Sequence, residues 1–144
     1  MPAPTTPPLG LQLASTAKAV RRAFDDALAE AGGSLPAWLI LISVKSRDLS
    51  NQRDLAAAVG ITSATLTHHL NAMETDGLLQ RRRDPTNRRI QHVTLTTAGE
   101  TMFQHLRDAA IAFDLRLRRG LSLAETDTLN TLLQRLHDNV NDTI

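Results

Sequence analysis

Apolar positions recur along this chain at helical spacing, interrupted once by a stretch of strand spacing. Leu13, Ala17, Val20, Phe24 and Leu28 return every three or four residues, which predicts a helix from Leu9 or Leu11 to Ala31. Gly32-Gly33 stops it. A second helix, PAWLILISVKS, opens at Leu35-Pro36, with Pro36 in the first turn where its missing N–H costs nothing. It is apolar on nearly all sides and is expected to be buried. Leu49 is a candidate short strand, and Ser50 or Asn51 caps a third helix, Gln52 to Val59. Gly60 then supplies a sharp turn, because glycine accepts a positive φ without strain. Ile61 reads as a buried plug, and Thr62 or Ser63 caps a fourth helix. Leu66, Leu70 and Met73 form its buried stripe, and Gly77 ends it.

From Leu78 to Thr96 the period changes to two. Gln91, Val93 and Leu95 alternate with Ile90, His92 and Thr94, and Val93 and Leu95 are expected to face the core. Asp84-Pro85-Thr86-Asn87 is a turn: proline presets φ and asparagine tolerates the left-handed region. Helical spacing then resumes. Thr97 and Glu100 have the spacing of a capping box, opening a helix to about Arg119 with Phe103, Leu106, Ala110, Phe113 and Leu117 as its stripe. Gly120 ends it. Ser122 and Glu125 form a second box, opening a helix to about Val140 that is expected to bury Leu129, Leu132, Leu133, Leu136 and Val140. These elements predict a mostly α fold with a small β-wing: a winged helix-turn-helix over 34–97, flanked by helices over 9–33 and 98–144 within one domain, 9–144. Residues 1–8 read as a disordered, proline-rich lead-in.

Charge changes the picture through its distribution. The formal net charge is only +1, yet Arg81, Arg82, Arg83, Arg88 and Arg89 crowd one hairpin tip with Asp84 the sole acid among them. A local basic patch steers DNA better than a uniformly basic surface. Beside it, the fourth helix carries Ser63, Thr67, His68 and Asn71 on one face, small hydrogen-bonding groups suited to base edges in the major groove. A helix N-terminus is itself an anion site, so Thr62 and Ser63 are candidate caps and phosphate donors, with Thr65 beside them. Helix-turn-helix plus basic wing describes a reader of double-stranded DNA, with the wing along the backbone or minor groove. Arg81 and Arg83 alternate with Arg82, so one set is expected to reach DNA or the recognition helix and the other to pack its stem on the domain.

Hydrophobic residues make up 42 % of the chain, which places it among globular proteins. No apolar run approaches the roughly 18 residues of a membrane span, and the N-terminus lacks the pattern of a secretory signal. The expected compartment is the cytoplasm, with no membrane partner. There is no cysteine, which excludes disulfides, thiolate catalysis and Cys-ligated metal. The five histidines show no metal-ligand spacing, and no catalytic motif is present, so neither a metal nor a cofactor nor an enzymatic activity is expected.

The stretch LAAAVGITSATLTHHLNAMETDGLL, followed by RRRDPTNRR and VTLTTAG, resembles the MarR family of bacterial transcription regulators. That family's wing usually reads Asp-x-Arg, five residues, then Leu-Thr. Here Asn87 replaces the aspartate ahead of Arg88-Arg89 and Leu95-Thr96, which removes the usual ion pair inside the wing, and His68 stands where many members carry arginine. The resemblance covers essentially the whole chain. It implies a homodimer held by the terminal helices, binding a pseudo-palindromic operator as a repressor through Thr62, Ser63, Thr65, Thr67, His68, Asn71, Arg81, Arg83, Arg88 and Arg89. It also implies release by a small phenolic or aromatic-acid effector. Phe24, Trp38, Ile42 and His69 are candidate pocket residues, the alternative for Trp38 being core packing and for His69 a hydrogen-bonded interior histidine. The competing readings are an activator, a sequence-indifferent architectural binder, and a protein-interaction module without DNA binding.

Overall fold

The computed structural model describes residues 6–46, 56–57, 60–89 and 91–142. The expected strand at Leu49, the cap at Ser50 or Asn51, most of the helix Gln52 to Val59, and Ile90 lie outside the described residues. Five helices and two strands are described: α1 (Leu9–Glu30), α2 (Leu35–Ser46), α3 (Ser63–Thr75), β1 (Leu79–Arg83), β2 (Gln91–Leu95), α4 (Thr97–Leu117) and α5 (Leu123–Asn141). The chain divides into two compact units, the first up to Ala110 and the second from Ile111.

In the first unit α1 ends as its glycine pair requires. Gly32 has φ of 91°, its N–H donates to the Ala29 carbonyl at 3.0 Å, and the Gly33 N–H reaches the Leu28 carbonyl at 2.9 Å. These two hydrogen bonds satisfy carbonyls that the helix end would otherwise orphan. Only the C-terminal part of α1 packs inward: Leu28 is fully buried, whereas Leu9, Leu11 and Leu13 are exposed. Helix α2 contributes Trp38, Ile40 and Leu41 to the same core, but Ile42 is 38 % exposed, so the expectation of burial on nearly all sides fails at that position. Leu66, Leu70 and Met73 bring the inner face of α3 onto this core, joined by Leu79 of β1 and Leu106 of α4. Burying side chains of this size contributes roughly 1.5–3 kcal/mol each.

The two strands pair antiparallel in the register Leu79↔Leu95, Arg81↔Val93 and Arg83↔Gln91. Leu79, Val93 and Leu95 thereby share the core-facing side. The hairpin closes where the Thr96 N–H donates to the Leu78 carbonyl at 3.1 Å. Thr96 also caps α4, accepting from the Gly99 N–H at 3.1 Å. The cap therefore stands one residue before the expected Thr97, and Glu100 does not fold back to close a box; it pairs with Lys45 of α2 at 3.0 Å. The backbone of Gly99 runs so close to Leu78, the residue before β1, that a Cβ there would collide with the Leu78 carbonyl oxygen.

In the second unit Gly120, at φ of 82°, turns the chain after α4. Ser122 and Glu125 form the capping box in full: the Glu125 N–H donates to Ser122 Oγ at 3.1 Å, and the Ser122 N–H to Glu125 Oε1 at 2.9 Å. Helix α5 departs from expectation in its burial. Leu129, Leu132, Leu133 and Val140 are exposed in the single chain, and Leu136 is half-buried.

Candidate nucleic-acid interface

The turn before α3 forms because Gly60, at φ of 80°, donates its N–H to the Ala56 carbonyl at 2.9 Å, and Ile61 reaches the same oxygen at 3.2 Å. Ile61 is half-buried against the core rather than fully buried. Thr62 is the cap: its Oγ1 accepts from the Thr65 N–H at 3.2 Å and donates to Thr65 Oγ1 at 2.9 Å. Two of the candidate phosphate donors are thus bonded to each other at the helix start. No acid stands in the first turn of α3, so the positive end of the helix dipole is not offset there.

Ser63, Thr65, His68 and Asn71 are exposed. Thr67 is half-buried, its hydroxyl donating back to the Ser63 carbonyl at 2.8 Å. His68 meets His69 edge to face, with ring centroids 5.7 Å apart. The outer surface of α3 therefore turns the polar side chains of Ser63, Thr65, His68 and Asn71 to solvent.

The hairpin beside it separates its arginines. Arg82, Arg83, Arg88 and Arg89 are exposed. Arg81 is turned onto α3: its Nε donates to Glu74 Oε2 at 3.1 Å, its Nη2 to Asn71 Oδ1, and its side chain is only 14 % exposed. The hydrogen bond from Arg81, with its charge, holds the Glu74 carboxyl below the usual carboxylate range. Arg81 and Arg83 alternate together along the strand, as expected, yet only Arg81 is drawn inward.

The tip is organised by Asp84, which the sequence placed in the turn without a site role. Asp84 Oδ1 accepts from the Thr86 N–H at 2.8 Å, the Thr86 hydroxyl at 2.6 Å and the Asn87 N–H at 3.0 Å. Its Oδ2 lies 3.0 Å from His92 Nε2. The Thr86 hydroxyl above all, then His92 and the two backbone N–H groups, hold the Asp84 carboxyl well below the usual carboxylate range. Asn87 Oδ1 accepts from the Arg89 N–H at 3.1 Å, a second side-chain turn one step on. The wing that lacks an aspartate at position 87 is held instead by Asp84 and His92. An aspartate opening a Pro-containing turn was a legible signal for the first half of this arrangement; its partner across the hairpin was not.

The pocket candidates are dispersed in their roles. Trp38 is buried and stacked on Phe103, with centroids 5.7 Å apart and planes at 21°, so core packing accounts for its ring. Phe24 is half-buried against the same core, His69 is half-buried on α3, and Ile42 is exposed. Among the described residues there is no group of three or more His, Asp or Glu placed to hold a metal ion.

Comparison with known proteins bears on this geometry. The sequence profile of the MarR family matches residues 34–91. An HTH-type transcriptional regulator of Clostridium symbiosum, BilQ, is 30% identical over 109 residues, 76% of each chain. An uncharacterized HTH-type transcriptional regulator of Bacillus subtilis, YdgJ, is 33% identical over 95 residues, which span 66% of this chain and 58% of that one. Among solved structures, the transcriptional repressor CouR bound to a 23-mer DNA duplex superposes with a TM-score of 0.79 at 24% identity, covering 90% of this chain and 92% of that one, a likeness of fold.

Proposed function

This chain belongs to the MarR family, and we propose that it is a repressor that binds a pseudo-palindromic operator as a homodimer. The observation that carries this reading is the pairing of two surfaces on one unit. The exposed face of α3 offers Ser63, Thr65, His68 and Asn71 without an acid in its first turn, and the adjoining hairpin exposes Arg82, Arg83, Arg88 and Arg89. The helix is shaped to read base edges and the hairpin to grip phosphates or enter a narrow minor groove, where arginine is drawn electrostatically. The CouR structure, of the same fold, is of a repressor on DNA, which supports this assignment of the nucleic-acid partner.

Dimerisation is supported by the apolar surface that a single chain leaves in solvent. In the first unit Leu9, Leu11 and Leu13 of α1 are exposed; in the second, Leu115, Leu129, Leu132, Leu133 and Val140 are. A second copy covering these faces would set two α3 helices on half-sites about 10 bp apart. Release by a phenolic or aromatic acid would require that ligand to bind one spacing of the two helices better than the other. The cytoplasm is the compartment this reading assigns. Among the described residues no single helix is long and apolar enough to cross a membrane; α1 and α2 pass that test only together, bent by 77°, and α2 places its largest side chains in the core.

Selection from random double-stranded DNA at physiological salt tests the reading. It predicts recovery of a pseudo-palindrome with half-sites about 10 bp apart. Binding without sequence preference would favour an architectural role, and no binding at all a protein-interaction module.

A further inference from the structure

Arg81 is the half-buried arginine of the hairpin, and its guanidinium joins two residues of α3 one helical turn apart: Asn71 through Nη2 and Glu74 through Nε. Arginine carries donors and no acceptor. Whatever atom of the Asn71 amide faces it must therefore be the carbonyl oxygen, which fixes the sense of the amide. The Asn71 amide nitrogen is left as the group able to meet a ligand. Glu74 meanwhile is the acid on this part of the α3 face, and its charge is matched by Arg81 rather than opposed to DNA phosphates.

We propose that Arg81 is a positioning residue, and that it holds Asn71 with its amide N–H groups turned to the operator. This rests on the DNA-binding reading above. Asparagine usually recognises adenine by offering its oxygen and nitrogen together to N6 and N7. With the oxygen bonded to Arg81, the amide is held with its N–H groups turned outward, which select an acceptor (guanine O6 or N7, adenine N7, or thymine O4) over the N4 donor of cytosine. Arg81 thus contributes to which base is bound without itself touching a phosphate, unlike the exposed Arg88 and Arg89.

Lysine separates the two roles. A lysine still serves as a point-charge phosphate contact, but it lacks the planar fork that spans two acceptors in fixed geometry. The test is a titration of the full chain against the selected operator and against operators changed at single bases, at several salt concentrations. The proteins compared are wild type, Arg81→Lys, Arg81→Ala, Asn71→Ala and Arg88→Ala, each checked for its fold by circular dichroism and melting. Arg81→Lys and Arg81→Ala are both expected to lose roughly 10-fold or more in discrimination at the base read by Asn71. Both should keep the wild-type salt slope, whereas Arg88→Ala lowers that slope by about 1. Asn71→Ala is expected to lose preference at the same base. The proposal is overturned if Arg81→Ala lowers the salt slope with its base preference intact and Arg81→Lys restores it. If Arg81→Ala alone fails to fold, Arg81→Lys decides. A wild-type protein with no base preference overturns the DNA-reading assignment and this proposal with it; wild-type preference retained by both Arg81 variants overturns the proposal alone.

Discussion

Asp84 gathers the hydroxyl and N–H of Thr86, the N–H of Asn87 and the ring of His92 onto one carboxylate. Those bonds are made to the ionised form, so the folded hairpin holds the carboxyl below its usual range. The sign follows: a depressed folded-state pKa contributes stability that is present above the unfolded value, about pH 4, and lost as pH falls toward the folded one. A carbon-13 titration should show the Asp84 carboxylate still ionised below about pH 4, the ordinary aspartate value; protonation at that ordinary value would contradict the assignment. Arg88 and Arg89 belong to the other side of the tip, exposed to whatever the wing meets. Replacing both by alanine should weaken binding to all DNA sequences alike and flatten the salt dependence, each lost phosphate contact lowering the slope by about 1. An unchanged slope would remove them from the interface. The arginines were conspicuous in the sequence as a cluster. Which of them is withdrawn onto α3 was not, because Glu74 and Arg81 are brought together only by the hairpin folding back on the helix.

At the scale of elements, local chemistry accounts for most boundaries. The glycine turns after α1, before and after α3, and after α4 all take positive φ, and the Ser122–Glu125 box stands at its expected place. The start of α4 was harder to read because Thr96 and Thr97 are adjacent hydroxyls, and the contact of Thr96 with the Gly99 N–H decides between them. Gly99 itself carries no sequence signal for its role. Its backbone meets the Leu78 carbonyl where the hairpin joins α4, and a side chain there would have to displace main chain. Gly99→Ala should therefore destabilise the protein by roughly 1–3 kcal/mol, as overpacking does, despite alanine's higher helix propensity. A thermal melt checks this, and an equal or raised midpoint would show that β1 and α4 yield to each other easily. Helix α2, whose apolar residues run almost without break, could be read as buried but not oriented; only the fold shows Ile42 outward.

At the scale of the whole molecule, periodicity located the apolar stripes of α4 and α5 but not what covers them. Leu117, Leu129, Leu132 and Leu133 lie open in one chain, and sequence spacing is blind to whether a stripe meets its own chain or another. The homodimer proposed here predicts that Leu132→Glu with Leu133→Glu sediments as a monomer and loses operator affinity, while the unaltered protein sediments as a dimer; a monomeric unaltered protein would refute it. The central claim is that α3 and the wing together make a sequence-specific reader. It is tested most directly by competition at physiological salt between the selected operator and random duplex of equal length. The account predicts a preference of about 10³-fold or more for the operator. A ratio near unity would contradict it.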